Sequence, residues 1–184
     1  MAVIKYKDLE ARIARLKTGP VPPVCLIHGD THLVRQACDT FCASVSEAWK
    51  GNPAIESLDG TRAGVTDIID ELTTFSFFSA HKLVVVKNIP LFHGSSLSEG
   101  GQSISSDHLD LLADCLDHKI PDGHGLVLTC VESDKRKKLY KRIDQTGLII
   151  DCSVARGIRK ADLDEQNQVL KDLADAALKK ENKT

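Results

Sequence analysis

Short, mainly strand-like apolar segments alternate along this chain with stretches in which apolar residues recur every three or four positions. The runs are Val24–Ile27, Ile55–Leu58, Leu83–Val86, Leu126–Val131 and Leu148–Cys152. Each reads as a strand, and four apolar residues in series, as at Leu83–Val86, suit a strand covered on both faces. Between them, Val34, Ala37, Cys38, Phe41, Cys42, Val45 and Trp49 predict a long helix, stopped at Gly51-Asn52-Pro53. Val65, Ile68, Ile69 and Leu72 predict a short one, and Leu109, Leu112, Cys115 and Leu116 another. A basic helix is expected over Asp134–Gln145, with Leu139, Tyr140 and Ile143 turned inward. At the N-terminus Tyr6, Leu9, Ile13 and Leu16 mark an amphipathic helix, ended by Thr18–Pro23 because proline removes a donor and glycine suits a helix exit.

Five strands alternating with helices imply a parallel α/β sheet with helices on both faces. Residues 1–153 would form this domain. Residues 154–184 break the alternation, with Leu163, Leu170, Leu173 and Ala177 on one helix in an otherwise charged tail. They read as the start of a separate helical domain that this chain does not complete. His93–Ser106, rich in Ser and Gly, reads as a surface insertion without a core of its own.

Composition narrows the chemistry. The 184 residues carry a formal net charge of −2, so no global basic field advertises nucleic acid. No apolar run approaches bilayer length and the N-terminus lacks a signal-peptide core, so a cytoplasmic location and no membrane partner are expected. The six cysteines lack C-x-x-C spacing and read as reduced thiols acting as small hydrophobes. Cys38 and Cys42, like His28 and His32, are spaced for one helical face, but zinc would need them to converge from the right elements. No metal or cofactor is expected.

A strand, a glycine turn and a helix start form the place for a nucleotide phosphate. Here that turn is Gly29, Asp30, Thr31 and His32, with Asp30 or Thr31 as the helix cap. A P-loop needs a second glycine, a lysine and a Ser/Thr, and all are missing. Lys87-Asn88 ends the third strand, where a hydrolytic enzyme of this class would place a magnesium-binding acid. No Ser-His-Asp or Cys-His set can be assembled, so no catalytic residue is assigned. Lys135, Arg136, Lys137 and Lys138 could touch phosphate, in DNA or at a subunit contact, but a solvated helix face is the simpler reading.

Thr73, Thr74, Phe75, Ser76, Phe77 and Phe78 lie just before the third strand, in a connecting segment. Spacing alone favours both adjacent rings tucked into the protein's own core. The alternative is a surface pair covered by a partner.

Four segments together resemble the N-terminal part of the bacterial DNA polymerase III delta subunit family. They are Val24–Ala37 (VCLIHGDTHLVRQA), Leu58-Asp59-Gly60, Thr74–Asn88 (TFSFFSAHKLVVVKN) and Leu126–Cys152, which contains DKRKKLYK. The likeness covers about residues 20–153. It implies an AAA+-like fold with a degenerate nucleotide site, continuing into helical lid and collar domains, so this chain would be an N-terminal piece of a longer protein. It further implies a non-catalytic clamp-loader subunit that binds the sliding clamp (the beta subunit) and helps open it. Other loader subunits would be partners, DNA would be met through the complex, and polymerase activity would belong to the assembly. The family's Ser-Leu-Phe clamp contact maps onto Ser76, Phe77 and Phe78, flanked by Thr73, Thr74 and Phe75. Phe77 stands where the family has leucine, and Phe75 where it has proline. The rival classes are a small nucleotide- or phosphate-binding enzyme using the Gly29 turn, and a generic interaction module.

Overall fold

The structure, a computed structural model, describes residues 3–16, 19–50, 52–90, 106–118, 120–154, 167 and 171. The chain divides into two compact units, Met1–Cys152 and Ser153–Thr184. In the second unit Asn167 and Lys171 are helical, and the expected apolar positions Leu163, Leu170, Leu173 and Ala177 lie outside the described residues. So does the proposed insertion up to Ser105, while Ser106 opens a helix.

The first unit is built from β1 (Val3–Lys5), α1 (Leu9–Leu16), β2 (Val24–Gly29), α2 (Thr31–Ala48), β3 (Ala54–Asp59) and α3 (Val65–Thr73). It continues with β4 (Lys82–Lys87), α4 (Ser106–His118), β5 (His124–Cys130), α5 (Lys138–Thr146) and β6 (Leu148–Cys152). All strand pairs are parallel, in the order β1-β6-β2-β5-β4-β3. Among the described residues the sheet therefore has six strands rather than the expected five. The additional one, Val3–Lys5, is too short and too half-exposed to leave an apolar signature, and it holds the edge by pairing with β6 and through a Lys5–Asp151 ion pair of 2.8 Å.

Side chains alternate across a strand, so the register sorts them by face. Val24, Leu26, Val84, Val86, Leu126, Leu128 and Ile149 pack with Val65, Ile68 and Leu72 of α3, Leu112 and Cys115 of α4, and Leu139 and Ile143 of α5. Cys25, Ile27, Leu83, Val85, Val127 and Ile150 point the other way and are also buried. Right-handed crossovers put α1 and α2 on that second face, and their Leu9, Ile13, Leu16, Ala37, Phe41 and Val45 are buried. At ~25 cal/mol per Å² of apolar surface removed from water, burial on both faces makes the central strands the energetic core.

Two boundaries differ from expectation. α5 begins at Lys138, not Asp134, because the Asp134 carboxylate accepts the Arg136 backbone N–H at 2.9 Å and closes a turn there. β5 takes in His124 and Gly125 and ends at Cys130, which leaves Val131 exposed. Gly60 marks a close approach: a Cβ there would stand 2.7 Å from Ile89 Cα, so the turn after β3 tolerates no side chain.

Candidate functional site

The two ends of the sheet carry the two candidate sites. At the C-terminal ends, β2 runs into Gly29, whose φ of 129° suits glycine, and then Asp30 caps α2. The Asp30 carboxylate accepts from the backbone N–H groups of His32 at 3.0 Å and Leu33 at 3.2 Å. Those amides are the ones a phosphate would need at a helix start. The protein's own carboxylate fills that position and adds a fixed negative charge. Thr31 and His32 are exposed on the first turn of α2.

Beside this turn, a cavity of about 340 Å³ lies between α2 and the ends of β4 and β5, lined by Arg35, Cys38, Asp39, Lys87, Asn88 and Thr129 among others. Asn88 has a φ of 57° and donates its N–H to the Thr129 Oγ1 at 3.1 Å. Cys38 Sγ accepts a hydrogen bond from the Cys42 thiol, which lowers the Cys38 pKa and raises that of Cys42. Burial pushes Cys130 and Cys152 up to about 12, and Cys25 well up. His28 points to the opposite face, its ring 6.3 Å from that of Tyr140, so the two His/Cys pairs do not converge. Burial lowers the His28 pKa against the pull of Asp151, and its Nε2 is buried without a hydrogen-bond partner. Among the described residues no cluster of three or more His, Cys, Asp or Glu side chains is placed to hold a metal ion.

At the N-terminal end of the sheet, α3 leads through residues 74–81 into β4. Phe77 is 99% exposed, Phe78 100% and Phe75 68%. The expectation that the Phe77 and Phe78 rings tuck into the core is therefore overturned. That interior is already filled by Leu72, Ile68 and Val84, and two further rings would overpack it. The segment beneath the rings is tied down. The last carbonyls of a helix lack intrahelical donors; here side chains of β4 and β5 reach those of Glu71 and Leu72, and two threonines bond carbonyls just before them. Thr73 Oγ1 donates to Ile69 O at 2.8 Å and Thr74 Oγ1 to Asp70 O at 2.7 Å. Lys82 Nζ donates to Glu71 O at 2.7 Å and Thr74 O at 2.9 Å, and pairs with the Glu71 carboxylate at 2.5 Å. His124 Nδ1 donates to Leu72 O at 2.7 Å, and Phe75 meets the His124 ring edge-on at 5.0 Å.

Two serine turns frame the aromatic pair. Ser76 Oγ accepts from Phe78 N at 3.3 Å and Ser79 Oγ from His81 N at 3.2 Å, while Ser79 also donates to Asn52 O at 2.9 Å. His81 stacks on Trp49 at 4.9 Å with the rings 8° from parallel. The six expected contact residues thus form one continuous surface segment. Lys82 and His124, which anchor it, were not singled out from the sequence. Their signal was a charged or polar residue in phase with the buried face, two positions before Val84 and before Leu126.

Two of the four residues in the basic run, Arg136 and Lys138, are paired with carboxylates. Arg136 folds back on Asp134 through Nε at 3.0 Å and Nη2 at 2.9 Å, and this hydrogen bonding holds the Asp134 carboxyl down at about 2. Lys138 pairs with Asp114 of α4 at 3.1 Å, and Arg142 with Asp117 at 2.6 Å. Lys135 and Lys137 are exposed, on the turn before α5 rather than on a helix face.

The strand order and the glycine turn between β2 and α2 define an AAA+-like α/β fold whose turn lacks the second glycine and the lysine of a P-loop. The chain belongs to the DNA polymerase III delta subunit family, whose family model matches residues 26–153. Among solved structures it is similar to the Bacillus subtilis DNA clamp loader delta protein, with a TM-score of 0.62 and 20% identity over 80% of this chain and 42% of that one. It is also similar to a DNA polymerase III gamma subunit-related protein from Thermotoga maritima, with a TM-score of 0.50 and 15% identity over 81% of this chain and 47% of that one. At such identities these likenesses establish the fold, and this chain spans less than half the length of either protein. No match is found among curated proteins. Among the described residues no helix is long and apolar enough to cross a membrane.

Proposed function

We propose that this chain binds the sliding clamp through Phe77 and Phe78, with Phe75, Ser76, Thr73 and Thr74 as the frame, and helps open the clamp without catalysis of its own. The observation that carries the reading is the almost complete exposure of two adjacent phenylalanines on an anchored segment, in a member of the delta family. Exposed paired rings are expensive unless a partner covers them, and aromatic anchors tend to dominate the interfaces they enter. In this reading ATP is used by other loader subunits. The Asp30 carboxylate at the start of α2 argues against a phosphate there, and so against the rival nucleotide-binding enzyme. Residues 154–184 would begin a helical lid domain. The run Lys135–Lys138, in which Arg136 and Lys138 are already paired with carboxylates, is not assigned a DNA contact.

The test is Phe77→Ala combined with Phe78→Ala, titrated against the cognate clamp. Two rings buried at an interface contribute roughly 1.5–3 kcal/mol each, so affinity should fall by about two orders of magnitude or more. Thermal unfolding of the same protein should be unchanged, since neither ring packs internally. Unchanged clamp affinity would remove this segment as the contact.

A further inference from the structure

We infer that Lys82 is a positioning residue that holds the aromatic segment in its displayed geometry; its consequence for clamp affinity rests on the reading proposed above. Lys82 is 4% exposed, although it opens β4 at the end of the sheet. A buried ammonium is costly unless its donors are used, and Nζ can make three bonds. All three are accounted for by Glu71 O, Thr74 O and the Glu71 carboxylate.

The geometry is specific to the segment. Glu71 lies in the last turn of α3, where the helix dipole favours a cation. Thr74 is the first residue beyond that helix, and its carbonyl leads directly into Phe75. Lys82 therefore ties both sides of the helix exit to the first residue of a core strand. His124 stands opposite Lys82 in the β4–β5 register and takes Leu72 O between those two carbonyls. Two side chains from adjacent strands thus grip four residues, Glu71 to Thr74, and fix the direction in which the chain leaves α3. Rigid anchoring lowers the ordering entropy lost when the rings enter a partner's groove. Lys82 itself is buried beneath the segment, so it acts on binding through the segment rather than by contact.

Three proteins test this: the unaltered 184-residue chain, Lys82→Met, and Glu71→Gln. Methionine keeps most of the aliphatic stem and donates nothing. Glutamine removes the ion pair but leaves both carbonyl bonds to Nζ. Amide hydrogen exchange is read at Thr74, Phe78 and His81, each hydrogen-bonded in the segment, against the amides of β4 and β5. Clamp affinity is measured on the same samples. Losing a buried donor to two carbonyls should speed exchange at those three amides about ten-fold or more and weaken clamp binding by a similar factor. Protection in β4 and β5 should persist, and Glu71→Gln should shift both readouts in the same direction by less. Unchanged exchange in Lys82→Met, or faster exchange with unchanged clamp affinity, would overturn the inference. Should Lys82→Met lose the β4–β5 protection, Glu71→Gln decides, and no change in either readout there overturns it. Should the unaltered chain fail to bind the clamp, the clamp reading falls on its own, and the exchange result still decides whether Lys82 positions the segment.

Discussion

The two ends of one parallel sheet have been treated oppositely. In open α/β sheets, ligands usually meet the C-terminal ends of the strands, where loops and helix N-termini converge. Here that end satisfies itself: Asp30 takes the free amides of α2, and Thr129 ties down Asn88. The N-terminal end ordinarily serves stability. Here it supports two nearly bare phenylalanine rings on a segment whose helix exit is held by Lys82 and His124. The end where such folds usually bind carries a fixed carboxylate at the start of α2, while the other end leaves apolar surface uncovered on an anchored base.

The sharpest contrast lies within the N-terminal end itself. Leu72→Ala removes a fully buried side chain from beneath the segment and should cost about 2–5 kcal/mol in chemical denaturation. Phe77→Ala, a larger truncation a few residues away, should stay within about 0.5 kcal/mol of the unaltered protein. Equal costs for the two would break the distinction between foundation and display.

At the other end, Asp30→Ala removes the α2 cap and should destabilise by about 1 kcal/mol. Clamp affinity should not move, because Asp30 lies at the opposite end of the sheet. ATP with magnesium, titrated calorimetrically into the unaltered chain, should give no saturable heat at millimolar concentration. Micromolar binding would restore the C-terminal end as a nucleotide site.

A smaller effect concerns acid. Burial lowers the folded-state pKa of His28 below its ordinary value of 6.5. Between that value and the lower folded one, the unfolded chain binds the extra proton and the native state does not. His28 therefore contributes a loss of stability as pH falls below 6.5, and none above it. Denaturation midpoints measured from pH 7.5 to 5 should decline, and His28→Gln should flatten the decline. The smallest perturbation is chemical: iodoacetamide on the native protein should label Cys38 before Cys25, Cys130 or Cys152, because its thiolate is favoured while burial keeps those three protonated. Mass spectrometry of timed samples gives the order.

Much of the architecture was legible because doubly covered strands leave unbroken apolar runs, as in Val24–Ile27 and Leu83–Val86. β1 was not, since three half-exposed residues on an edge leave no periodicity. A cap at Asp30 or Thr31 was readable from residue type and place, and the structure gives it to Asp30. The exposure of Phe77 and Phe78 was not, because spacing cannot say whether a loop aromatic turns in or out, and core burial is the commoner outcome. The resemblance to the delta family pointed to these residues where their own pattern pointed inward. Lys82 and His124 carry little signal of their own because the apolar runs begin after them, at Leu83 and Leu126. A lysine in phase with the buried face of a strand was the available signal.

Amide hydrogen exchange of this chain with and without the cognate sliding clamp tests the central contrast most directly. The expected result is slowed exchange at Thr74–His81 on clamp addition, with Gly29–Leu33 and Lys87–Ile89 unchanged. Protection at the C-terminal end of the sheet with none at Thr74–His81 would contradict the account.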